Sequence, residues 1–175
     1  MRYSTIVLIV FCVLFFGGCN SKQALQKGDA APEFSVSDLS GRPISLSRNK
    51  GKITILYFWT NSCCGDSLKL VEPLYRAYDK KLEVLAVNCG DSKEVAGAYA
   101  RSNGLTFPMV ADEQAALLER YRVRGFPTIY VIDAHGVIRD KILGHLSVVQ
   151  LEKIILRQID MQKKAGESYE TIHSR

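Results

Sequence analysis

"ITILYFWTNSCC" (Ile53–Cys64) decides how the rest of this chain is read. Ile53 to Trp59 is a nearly continuous run of β-branched and aromatic residues, the composition of a strand covered on both faces. Two adjacent cysteines follow. Beyond them Leu68, Val71, Leu74, Tyr75 and Tyr78 recur at helical spacing until Lys80-Lys81, with Pro73 inside the run and expected to kink it. Cys63 and Cys64 therefore fall where a buried strand gives way to a helix. Unpaired backbone N–H groups and the helix dipole stabilise a thiolate in the first turn, so a cysteine there is expected to titrate below the free value of about 8.5. That makes Cys63 or Cys64 a candidate nucleophile; the alternative is an inert, buried small hydrophobe.

Working outward, "LEVLAVN" (Leu82–Asn88) is the next buried strand. A helix over Lys93 to Asn103 stopped by Gly104, a short segment "FPMVAD" and a helix over Gln114 to Tyr121 come next. "TIYVID" and "VIRDKIL" read as strands joined at Ala134-His135-Gly136, and a last amphipathic helix runs from Ser147 to about Met161. Ahead of the central strand, "EFSVSDLSGRPISLS" alternates at period two around Ser40-Gly41 and predicts a hairpin. The order predicts an α/β domain with a mixed sheet. Its first two buried strands are parallel neighbours joined by a right-handed crossover, and its last two form an antiparallel hairpin. "FWTNSCC" and "VNCGD" then end at one edge of the sheet, where chemistry gathers in open α/β folds. Cys89 is thereby a candidate second sulfur.

At 175 residues, 47% hydrophobic and 23% charged, the chain has the composition of one ordinary globular domain. Its N-terminus is different. Arg2 precedes an apolar run, Ile6 to Phe16, too short for a bilayer that needs about 20 residues and suited to a signal-peptide core. Gly17-Gly18-Cys19 after it resembles a bacterial lipobox, in which the cysteine receives a lipid and the peptide is cut ahead of it. The expected organisation is a signal peptide over 1–18, lipidated Cys19 and a tether over 19–28, a domain over 29–162 and a frayed tail over 163–175. Such a chain is exported and held on the outer side of a bacterial membrane by its lipid, on the periplasmic side or at the cell surface. Cys12 leaves with the signal and Cys19 carries lipid, so Cys63, Cys64 and Cys89 remain as thiols, an odd number in an oxidising compartment. A net charge of +5, without a basic run denser than Arg120, Arg122 and Arg124, does not indicate a nucleic-acid surface.

"GDAAPEFSVSDLSGRPISLSRNKGKITILYFWTNSCC", "VLAVNCGDS", "LTFPMVAD" and "YRVRGFPTIYVIDAHGVI" together resemble the membrane-tethered, extracytoplasmic thioredoxin-like proteins of the TlpA/ResA type, over about Gly28 to Met161. The resemblance implies a thioredoxin fold with an N-terminal β-hairpin extension, and exchange with protein thiols, those of apocytochrome c among them. It also implies a monomer working with a protein thiol or disulfide substrate or a membrane electron donor, and no cofactor. In that family Phe-Trp-x-x-x-Cys-x-x-Cys opens the first helix and a cis proline in Gly-x-Pro-Thr faces the cysteines. Trp59 and Cys63 keep the first spacing, and Phe126, Pro127 and Thr128 keep the proline segment, which makes Phe126, Pro127 and Thr128 candidate substrate contacts; Trp59 either packs under the active-site loop or joins them as a contact.

The departure lies three residues further on. If Cys63 is the first cysteine, Asp66 stands where the resolving sulfur belongs; if Cys64 is first, Ser67 does. An oxygen there cannot release a mixed disulfide. Asp66 is a candidate proton acceptor or a simple N-terminal helix charge. A bond between Cys63 and Cys64 would be strained, because adjacent Cα atoms stand about 3.8 Å apart against a usual disulfide range of about 4.4–6.8 Å. The second sulfur is therefore expected to be Cys89 or a partner's. Two other readings stay open: Thr60-Asn61-Ser62-Cys63 resembles the Thr-x-x-Cys of peroxiredoxins and would reduce peroxide, and a degenerate thioredoxin module would bind without redox chemistry. His135 and His145 share no paired metal-ligand spacing with the cysteines, so no metal site is expected.

Overall fold

The structure, a computed structural model, describes residues 24–173, so the signal segment, Cys12 and Cys19 lie outside the described residues. Ile53–Trp59 forms strand β3, with all seven residues buried. Such a run has no polar face to offer water, so it must lie centrally. It does, in a sheet of order β5-β4-β3-β6-β7. Strand β4 (Leu82–Asn88) lies parallel to β3, and β5 (Met109–Ala111) parallel to β4. On the other side β6 (Thr128–Ile132) runs antiparallel to β3, and β7 (Ile138–Leu143) antiparallel to β6. The expected hairpin is a separate two-stranded sheet, β1 (Ser35–Ser37) with β2 (Pro43–Ser45), whose turn is held by the Asp38 carboxylate accepting from the Ser40 and Arg42 amides. This is the mixed, helix-flanked sheet that the sequence predicts.

Alternation along β3 divides the core into two. Ile53, Ile55, Tyr57 and Trp59 face a cluster with Cys64, Leu68, Val71 and Leu74, while Leu56 and Phe58 face Phe34, Leu46, Leu117 and Tyr121 on the opposite side. The helix after the cysteines is two helices, α1 (Asn61–Lys69) and α2 (Glu72–Ala77). Pro73, in the first turn of α2, has no N–H to continue the ladder from α1, so the expected kink becomes a break.

Helix α3 (Lys93–Ser102) follows β4, its start capped by Ser92. Helix α4 is shorter than expected, Ala116–Arg120, because the Asp112 carboxylate takes the Leu117 and Leu118 amides and Ala115 adopts a left-handed φ of 55°. Helix α5 (Val148–His173) is longer than expected and occupies the region read as a tail. The apolar periodicity stops near Met161, but Lys164–Asp160 and Lys163–Glu167 pairs one turn apart carry the helix onward. The expected tether also ends early. Gly28 donates its N–H to Ile138 and Lys141 donates to the Leu25 carbonyl, so residues 25–28 already lie on β7.

Candidate active site

Strand β3 ends at Trp59, Thr60 caps the helix in extended geometry without a side-chain bond, and α1 begins at Asn61. The residue that holds this junction is Asp91. Its Oδ2 accepts from the Asn61 amide at 3.2 Å and from Asn88 Nδ2 at 2.8 Å, so the β4–α3 loop is tied to the helix start. Sequence reasoning did not single it out; Asn88-x-x-Asp91 after a buried strand is the only local sign of it.

The two cysteines diverge at once. Cys63 is exposed, with Sγ 3.7 Å from the carbonyl oxygen of Phe126, and Cys64 is buried. The Cys64 thiol lies 2.7 Å from Cys63 Sγ and donates to it. Burial, reinforced by that hydrogen bond, pushes the Cys64 thiol up to about 11. The helix start does not win at Cys64, contrary to the expectation for a first-turn cysteine. Desolvation of the charged form outweighs the amides there.

Cys89 does not join them. It is buried among Phe58, Val87, Val110 and Leu117, in the cluster on the opposite face of the sheet from Cys64. Its neighbour Asn88 is the register partner of Trp59, and one residue further the strand pleat turns the side chain to the other side. Burial, with the charge of Asp112, pushes this thiol up to about 12. Shared strand ends brought the backbones together and sent the sulfurs apart.

Asp66 points to solvent, its side chain 98% exposed and ion-paired with Lys69 at 2.7 Å, and that hydrogen bond and charge hold its carboxyl below the usual range. Ser67 turns inward. Its hydroxyl donates to the Cys64 carbonyl at 2.9 Å and lies 3.0 Å from the Tyr57 hydroxyl. Trp59 is 0% exposed and packs on Tyr99 with ring centroids 4.8 Å apart, so it supports the loop from beneath. Gly65 makes that packing possible. A Cβ there would stand 2.8 Å from the Tyr99 hydroxyl.

Opposite Cys63, the Phe126–Pro127 peptide is cis, as the motif predicts. Phe126 is half-buried, Pro127 and Thr128 are buried, and the Thr128 hydroxyl donates to the Gly125 carbonyl at 2.7 Å. Pro127 accepts from the Gly144 amide at 2.8 Å, and Leu143 beside it is 68% exposed. Among the described residues no cluster of histidine, cysteine and acidic side chains could hold a metal ion.

A parallel β3–β4 pair flanked by an antiparallel β6–β7 hairpin, with a helix-opening cysteine facing a cis proline, defines a thioredoxin-fold protein. The chain belongs to the AhpC/TSA family, whose model matches residues 27–141. It is 36% identical over 135 residues to thiol-disulfide oxidoreductase ResA of Geobacillus kaustophilus, covering 75% of this chain and 78% of that protein. Thioredoxin-like protein YneN of Bacillus subtilis is 36% identical over 134 residues, 74% of this chain and 78% of its own. Among solved structures, StoA from Bacillus subtilis aligns with a TM-score of 0.62 at 29% identity, covering 70% of this chain and 96% of that one.

Proposed function

We propose that this chain is a thiol-disulfide oxidoreductase of the ResA type, held outside the cytoplasm by lipid on Cys19, in which Cys63 attacks the disulfide of a protein substrate. The observation that carries the reading is the exposed Cys63 sulfur at the first turn of α1, 3.7 Å from the Phe126 carbonyl beside Pro127. A substrate segment laid along Phe126 and Pro127 brings its disulfide to that sulfur. Attack forms a Cys63–substrate disulfide and releases one substrate thiolate. The similarity to ResA and YneN supports this reading, and the family resemblance extends it to the thiols of apocytochrome c as substrates. Among the described residues no helix is long and apolar enough to cross a membrane, and in this reading the lipid supplies the attachment.

The test is thiol release from a reporter peptide disulfide by the reduced full-length chain. We expect prompt release by wild type and none by Cys63→Ser. Hydrogen peroxide consumption that depends on Cys63, without thiol release, would instead identify a peroxide reductase; neither activity would leave a binding module. For the attachment, Cys19→Ser is expected to move the protein out of the membrane fraction, and unchanged fractionation would contradict it.

A further inference from the structure

A mixed disulfide at Cys63 is a dead end unless a second thiol releases it. The three-residue positions that would supply one hold the oxygens of Asp66 and Ser67, and Cys89 lies across the sheet. Cys63, Cys64 and Cys89 are the free cysteines among the described residues, which leaves Cys64. We infer that Cys64 is the resolving thiol, releasing substrate by closing a disulfide between the adjacent residues Cys63 and Cys64. The inference rests on Cys63 being the attacking sulfur.

Three observations carry it. The sulfurs are already in contact at 2.7 Å, so no thiol has to be delivered from elsewhere. Their placement also suits an in-line displacement. The Cys63 sulfur is open to solvent, the side from which a substrate sulfur bonds to it, while Cys64 approaches from the buried side, opposite the leaving sulfur. Finally, the backbone that must adjust is weakly held. The trans peptide fixes adjacent Cα atoms about 3.8 Å apart, closer than in an ordinary disulfide, so ring closure requires the backbone and side-chain torsions of the first turn of α1 to leave helical values. That turn is closed by the Cys63 and Cys64 amides bonding to the Thr60 carbonyl at 3.3 and 3.1 Å, and Thr60 adds no side-chain cap. Terminal turns are the part of a helix that yields first.

The step balances without an outside reagent. Cys64 loses its proton and attacks Cys63 Sγ, the Cys63–substrate bond breaks, and the proton ends on the departing substrate thiol. Over both steps the two cysteines give two electrons and two protons to one substrate disulfide. The strained product is readily reduced, so any external dithiol resets the pair.

The experiment exposes reduced full-length protein to glutathione disulfide, quenches with N-ethylmaleimide at intervals and maps the cysteines by mass spectrometry. In wild type a glutathione adduct on Cys63 is expected to appear and decay into a Cys63–Cys64 disulfide, with two glutathione thiols released per chain. In Cys64→Ser the adduct is expected to persist at least about tenfold longer, since the intramolecular attack is lost. Cys89→Ala is expected to behave as wild type. An adduct that forms on Cys63 and is as persistent in wild type as in Cys64→Ser would overturn the inference while leaving Cys63 as the attacking sulfur. No adduct on Cys63 in either protein would overturn both.

Discussion

Two strands end side by side in this molecule, and each is followed by cysteine. Trp59 at the end of β3 pairs with Asn88 at the end of β4. After Trp59 the chain turns into a helix, which lifts Cys63 to the surface and tucks Cys64 beneath it. After Asn88 the chain stays extended for one more residue, and the pleat sends Cys89 into the opposite core. Equal positions at the sheet edge thus yield one accessible sulfur and one sealed one. Proximity of backbone says little about proximity of sulfur; the parity of the last strand residue decides it.

That comparison can be broken in several ways. The largest effect is expected in thiol reactivity against pH. With burial holding Cys64 near 11 and Cys89 near 12, both remain protonated at neutral pH, and iodoacetamide should modify them at least about 100-fold more slowly than thiols titrating near 9. Modification of Cys64 in the folded protein should rise about tenfold per pH unit until its own titration. The same shifts fix the sign of stability at alkaline pH. The unfolded thiols lose their protons from about 9, so stability conferred by the buried neutral forms is present below 9 and declines as pH rises through 11 to 12. Rapid modification of Cys89 at neutral pH in folded protein would mean that it is not sealed.

The next effect is a gain. Asp66→Cys restores a sulfur three residues after Cys63 on the same helix face, and steady-state disulfide reduction with an external dithiol is expected to rise about tenfold. Ser67→Cys, three residues after the buried Cys64, is expected to leave turnover near wild type. The reverse ranking would assign the attack to Cys64. Smaller still is Gly65→Ala. The new Cβ meets Tyr99, whose ring is fixed against Trp59, and a loss of about 1–3 kcal/mol is expected in denaturant unfolding. Unchanged stability would show that Tyr99 moves freely.

The sheet was legible because Ile53–Trp59 and Leu82–Asn88 are dominated by apolar and β-branched residues, and their strand bounds coincide with those runs. The break at Pro73 followed from one missing N–H. The continuation of α5 past Met161 was not legible, because the apolar periodicity stops there and the Asp160–Lys164 and Lys163–Glu167 ion pairs that follow leave no apolar stripe to read. Within the site, Cys63 and the Phe126–Pro127 segment stood out through their motif spacing. The packing of Trp59 under the loop was legible from its large apolar ring; the burial of Cys64 and the facing of Cys89 were not, since a strand buried on both faces gives no polar alternation from which to read sides. Asp91 was hidden for another reason: it acts on Asn61 from 30 positions further along the chain, through a loop that only the folded sheet brings back.

The central claim, that one exposed sulfur does the attacking, is tested most directly by locating the first adduct. Reduced full-length protein mixed with one equivalent of a peptide disulfide and acid-quenched at the earliest accessible time should carry the peptide on Cys63, with Cys64 and Cys89 still free thiols. A first adduct on Cys64 or Cys89 would contradict the account.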